Sequence, residues 1–96
     1  MTTLSICPIS TASTLTVGGC QEYQVDASSS SFTITLPDAT AGDGQYLIFK
    51  RQDNTVHTVT ISTQSSQTID GAGTLSLGQK GHHELISYNG NWFITG

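Results

Sequence analysis

Residues 32–37 read Phe32-Thr33-Ile34-Thr35-Leu36-Pro37, and their alternation decides the class of fold. Successive side chains of an extended strand point to opposite faces. Phe32, Ile34 and Leu36 therefore share an inward face, and Thr33 and Thr35 an outward one. Pro37, which cannot donate to a sheet ladder, stops the run. Downstream, residues 38–44 form a turn region rich in Gly and Asp. Residues 45–51 follow, with Tyr46-Leu47-Ile48-Phe49 apolar on both faces, as in a central strand covered on both sides. Asp53-Asn54 turns the chain into residues 56–62, where Val59 and Ile61 face in and Thr58 and Thr60 face out. Short strands follow at 67–70 and 74–77. The last two, 84–88 and 92–95, flank Asn89-Gly90-Asn91. Asn-Gly between apolar strands is a strong hairpin signal, because a type I′ turn needs positive φ at both central positions.

Upstream, residues 22–26 alternate with Tyr23 and Val25 on one face, and residues 14–17 form a strand stopped by Gly18-Gly19. Residues 1–12, with Pro8 and small polar side chains, read as an extended arm. No window carries a 3.6-residue apolar period. The expected fold is all-β: a small β-sandwich or jelly-roll of about eight short antiparallel strands. One domain covers residues 13–96 behind the arm at 1–12, and the strand order stays open.

The chain has 96 residues, 35% hydrophobic and only 10% charged, with net charge −4. A domain this small buries about 60–70% of the surface that its unfolded chain exposes, so association with further copies would help it. Its polar surface is Ser, Thr, Gln and Gly, which suits strand faces resting on other protein. With Lys50, Arg51 and Lys80 as the only basic side chains, no phosphate-tracking face can form, and nucleic acid is not an expected partner. No apolar run approaches the roughly 20 residues of a membrane-spanning helix, and the N-terminus lacks the pattern of a signal peptide. No membrane partner is expected. Cys7 and Cys20 are the candidates for a disulfide; the sequence leaves open whether they are bridged.

Little in the chain points to catalysis. No serine lies in a Gly-x-Ser-x-Gly turn, and neither cysteine has a basic neighbour to lower its thiol pKa. Asp38, Asp43 and Asp53 all fall in turns, where Asp is expected to bond backbone. His82 and His83 are adjacent and point to opposite faces, so they cannot chelate one ion together. Glu84 shares the face of His82. It reads either as its partner or as a co-ligand of a metal site made where His82 copies meet at a three-fold axis; the plainer reading is a pair of solvent-edge histidines near a turn. No enzyme activity, cofactor or metal is expected.

The second half carries an ordered series: Thr33-Ile34-Thr35-Leu36-Pro37-Asp38-Ala39, Gly44-Gln45-Tyr46-Leu47-Ile48-Phe49-Lys50-Arg51, Val59-Thr60-Ile61, Thr68-Ile69-Asp70-Gly71, Thr74-Leu75-Ser76-Leu77, and Leu85-Ile86-Ser87-Tyr88-Asn89-Gly90-Asn91-Trp92-Phe93-Ile94. This series resembles the small trimeric β-sandwich module of tailed-phage virion proteins: capsid decoration (cement) proteins, tail fibres and tailspikes. It spans residues 32–96; the first 31 residues carry none of it. The resemblance implies a homotrimer assembled in the host cytoplasm and located on the virion. A single module beginning at Met1 favours a decoration protein bound to the major capsid protein at the outer capsid surface. A tail fibre, tailspike or adaptor module, with glycan affinity through Tyr23, Tyr88 or Phe93, is the alternative. On the first reading Phe32, Ile34, Tyr46, Ile48, Phe49, Ile61, Leu85 and Trp92 supply core and trimer contacts. Leu4, Ile6, Pro8 and Ile9, on the arm, contact the shell.

Overall fold

The computed structural model describes residues 5–96. Nine strands form two mixed sheets, with one 3-10 turn at Ala39–Ala41. The strands are β1 (Ile6–Ile9), β2 (Ser13–Thr14), β3 (Glu22–Val25), β4 (Phe32–Thr35), β5 (Tyr46–Arg51), β6 (Val59–Ser62), β7 (Thr74–Leu77), β8 (His82–Tyr88) and β9 (Asn91–Ile94). Sheet A runs β1-β3-β5-β8-β9, and sheet B runs β2-β4-β6-β7.

The pairing corrects the antiparallel jelly-roll expectation. From β1 to β6 the chain alternates between the sheets, and each return lies parallel to the strand laid down before it. The parallel pairs are β1–β3, β2–β4, β3–β5 and β4–β6. These coils are joined by crossings between layers rather than by two-residue hairpins, and such connections leave strands parallel. Antiparallel pairing appears only in β5–β8, β6–β7 and β8–β9. There the predicted hairpin forms: Asn89 and Gly90 both take positive φ, 52° and 77°, as a type I′ turn requires.

Residues 6–9 are likewise a strand and not free arm. Ile9 is buried, and Cys7 sits opposite Tyr23 in the register and packs against the core. Pro8 is tolerated because β1 is an edge strand, where a missing N–H breaks no central ladder. Cys7 and Cys20 are joined in a disulfide with Cα atoms 6.0 Å apart, which ties β1 to the turn preceding β3. Leu4 lies outside the described residues.

One core fills the space between the sheets. Sheet A contributes Tyr23, Val25, Leu47, Phe49, Leu85 and Trp92; sheet B contributes Phe32, Ile34, Val59, Ile61 and Leu77. Trp92 is fully buried, and its indole N–H donates to the Pro37 carbonyl at 3.3 Å, so its one polar atom is satisfied. The edge of β9 is partly covered. Trp92 N–H donates to Thr68 O, Asp70 N–H donates to Trp92 O, and the Asp70 carboxylate accepts from Ile94 N–H.

Arg51 is the exception within this apolar interior. It follows Leu47 and Phe49 on the inward face of β5 and is 2% exposed. Its guanidinium donates to the Asp53 carboxylate twice, at 3.1 Å each, to Leu77 O at 2.8 Å and to His57 O at 2.6 Å. Asp53 also accepts from the backbone N–H groups of Ala27 and Thr55 and from the Thr55 hydroxyl. A buried guanidinium is tolerable only when its donors are used and its charge is paired. Here the Arg51–Asp53 pair holds β7 and the loop before β6, through Arg51, and the residue after β3's end, through Asp53, at one point.

Candidate functional site

The outer face of sheet A differs from the rest of the surface. Register places Tyr46, Ile86 and Phe93 side by side across β5, β8 and β9. Ile48 lies one step along β5, and Tyr88 adds its ring at the far end of β8. Tyr46 and Phe93 are each 39% exposed and Tyr88 61%. The Tyr88 and Phe93 rings meet at 6.4 Å between centroids, tilted. Five apolar side chains thus share one sheet face, Tyr46, Tyr88 and Phe93 exposed and Ile48 and Ile86 half-buried between them. A contiguous apolar patch on a small protein marks an interaction surface more often than a lone exposed residue does.

The patch grades into a polar half on the same face. Ile6, Glu22, Ile48 and Glu84 are aligned across β1, β3, β5 and β8, and Pro8, Gln24, Lys50 and His82 form the next row. His82 and Glu84, two apart on β8, approach to 3.3 Å. Both are substantially exposed, so the contact adds little stability.

Sheet B presents the opposite character outward. Thr33, Thr60 and Ser76 form one row, and Thr14, Thr35, Ser62 and Thr74 another. These hydroxyls leave no apolar or charged side chain in either row, and Thr35 and Ser62 bond to each other at 3.3 Å. The two-faced apolar character of residues 46–49 therefore belongs to sheet A alone.

The residues singled out from the sequence divide accordingly. Phe32, Ile34, Phe49, Ile61, Leu85 and Trp92 lie in the core, whereas Tyr46 and Ile48 lie on the outer face of sheet A. Ile6 is 57% exposed and Pro8 is exposed. Ile9 is not available as a shell contact, because its side chain is inside. Tyr23 is buried with its ring stacked on Phe49 at 5.5 Å, which removes it as a sugar platform. Burial raises its phenol pKa. Ile86 was not anticipated; its signal was its place opposite Tyr46 in a strand pairing that the sequence does not reveal. The Arg51–Asp53 pair was also missed, although an Arg two residues beyond Phe49 on an alternating strand was legible as inward.

The turn carboxylates hold backbone in place. Asp38 accepts from Thr40 N–H and hydroxyl and from the Gln67 amide, and these donors lower its pKa. Asp43 accepts from Asn89 N–H. The Arg51 guanidinium and the Thr55 and Ala27 donors hold the Asp53 carboxyl far below the usual carboxylate range. Among the described residues no cluster of three His, Cys, Asp or Glu side chains could hold a metal ion. The buried Nδ1 of His83 has no hydrogen-bond partner among the described residues. The chain matches no protein-family model and no curated protein sequence.

Proposed function

We propose that this chain is a capsid decoration protein of a tailed-phage particle, a homotrimer that binds the major capsid protein on the outer surface and stabilises the shell. The virion assignment and the number three rest on the resemblance of residues 32–96 to that module. The observation that supports assembly is the outward Tyr46–Ile86–Phe93 row, exposed at Tyr46 and Phe93 and half-buried at Ile86, with Ile48 and Tyr88 beside it. Burying such side chains returns roughly 25 cal/mol per Å² of apolar surface, and a cyclic contact repeats each favourable pair in every copy.

Sedimentation equilibrium tests the self-association. The wild-type chain should run as a trimer, and Phe93→Asp or Ile86→Asp should shift it to monomer with its sheet spectrum intact. A monomeric wild type, or trimers in both variants, would overturn the reading. The shell contact then falls on Leu4, Ile6 and Pro8. Removing residues 1–12 would not isolate it, because that deletion takes away β1 and one half of the disulfide. Ile6→Asp is the cleaner test, with capsid binding measured by co-sedimentation. The alternative, a tail fibre, tailspike or adaptor module, shares the fold and the trimer. Copy number relative to the major capsid protein, by quantitative mass spectrometry of purified particles, separates the two. A large fixed fraction means decoration, and a few copies place the protein at the tail.

A further inference from the structure

Strand β1 is held to the body by its ladder to β3, by one buried side chain and by a disulfide. As the edge of sheet A it pairs with β3 alone. Of its four side chains only Ile9 is buried; Ile6 and Pro8 are exposed and Cys7 is half-buried. Residues 10–12, which lead on to β2, are exposed as well, so β1 can leave β3 while Leu15 stays in the core. Segments with so few buried apolar contacts open at a free energy well below that of the whole domain.

The third hold is covalent. The Cys7–Cys20 bond joins β1 to the turn before β3 across a sequence separation of 13 residues. A cross-link stabilises mainly by removing open states of the chain, and an undocked β1 is the open state that this one removes. Cys20 also lines the cleft between the turn after Thr16 and the approach to β5. A small thiol can therefore approach the bond from solvent.

We propose that the disulfide is a redox lock on β1. Bridged, β1 completes sheet A; reduced, it undocks and bares the β3 edge at Glu22–Val25. The exchange consumes two molecules of a small thiol such as glutathione. The thiolate of the first attacks Sγ of Cys20, forms a mixed disulfide and expels the Cys7 thiolate, which takes up a proton. The second attacks the sulfur that the first contributed, leaves Cys20 as a thiol and departs as the disulfide of the reductant. Two electrons thus pass to the protein and two thiols of the reductant are oxidised. Compartments that keep thiols reduced leave β1 loose, and oxidising surroundings fasten it. A bare strand edge is a template for pairing, so the lock decides whether β3 is open to another chain. The proposal goes beyond the assembly reading and stands without it.

Amide hydrogen exchange of the full chain by NMR, air-oxidised and then in dithiothreitol, tests it. The Asp26 N–H donates to Ile9 O at 2.9 Å, and the Gln52 N–H donates to Val25 O at 2.8 Å from the other side of β3. Ile9 lies two residues past Cys7, so Asp26 reports the ladder and not the loosening of the turn at Cys20. Reduction should speed exchange at Asp26 by about tenfold or more, the equivalent of ~1.4 kcal/mol of protection. Gln52 should not change, nor should Leu36, which donates to Ser62 O beside sheet B. The double variant Cys7→Ser with Cys20→Ser should exchange like the reduced chain and ignore the reductant. Equal exchange at Asp26 before and after reduction overturns the proposal. So does faster exchange at Asp26, Gln52 and Leu36 alike, which is unfolding of the whole chain and not release of one strand. A double variant that exchanges like the oxidised chain, or cysteines that alkylate without reductant, would overturn it as well.

Discussion

Asp53→Asn is the most informative single substitution in this molecule. Asparagine keeps the shape of the side chain and one acceptor oxygen, which can serve Ala27 N–H, held by Oδ1 in the wild type, or the Thr55 donors, held by Oδ2, but not both. What it removes is the negative charge beside a guanidinium that is 2% exposed. Breaking a buried pair from one side costs about 3–5 kcal/mol, because the remaining charge stays buried without compensation. At about 4–8 °C per kcal/mol for a domain of this size, Tm should fall by at least about 12 °C. Urea unfolding followed by circular dichroism and by Trp92 fluorescence gives the free energy, with the exposed Asn54→Ala expected to stay within about 0.5 kcal/mol of wild type. The double variant Arg51→Met with Asp53→Asn should be less destabilised than the sum of the two singles, since no charge is then left unpaired. A loss below about 1 kcal/mol for Asp53→Asn, or strict additivity in the double variant, would refute the claim that this pair organises the fold.

The same pair sets an acid limit. Asp53 titrates far below the carboxylate range when folded and near ~3.9 when unfolded. Its contribution is therefore full above the unfolded value and is lost as pH falls toward the folded one. Wild-type stability should drop steeply below about pH 5, and the slope should be shallower in Asp53→Asn; equal slopes would assign the acid sensitivity elsewhere. Replacing Cys7 and Cys20 by Ser should cost about 2–4 kcal/mol, the usual range for a disulfide, read by urea unfolding with and without reductant; an unchanged midpoint would show that β1 is held by its ladder alone. Trp92→Phe leaves the Pro37 carbonyl without its donor and should cost about 1–3 kcal/mol, checked by thermal unfolding. Thr33→Ala on the outward face of sheet B should change Tm by no more than a few degrees, as a substitution worth about 0.5 kcal/mol would.

Much of the strand plan was legible. The alternation of Phe32, Ile34 and Leu36, the stop at Pro37, and the Asn89-Gly90 turn each express a local rule, and each reappears where the sequence put it. Strand β6 came out shorter than the residues 56–62 expected, since Val56 is 90% exposed and outside the strand. Residues 67–70 shrank to an isolated bridge at Ile69. Pro8 was the misleading residue: it signals a break in a central strand, yet β1 is an edge strand, where the same residue is harmless.

The candidate surface was half visible. Residues 46–49 announced a strand with two apolar faces, and the structure shows which of them face out: Tyr46 and Ile48. Their neighbours Ile86 and Phe93 belong to segments far along the chain, so no local pattern could join them to Tyr46.

What the sequence determined by itself was the all-β class, the position of most strands and the face each side chain takes. Period-2 alternation is a local property, fixed by the backbone geometry of each strand. Which strand lies beside which was decided only by the tertiary structure. Backbone hydrogen bonds are the same for every residue type, so the ladder carries no label of its partner. The unequal coils, with Ile6 opposite Glu22 but Glu22 opposite Ile48, leave no repeat to betray the parallel order. Partner choice came instead from closing one apolar core between two sheets, with the buried Arg51 guanidinium reaching Leu77 O of β7 across it.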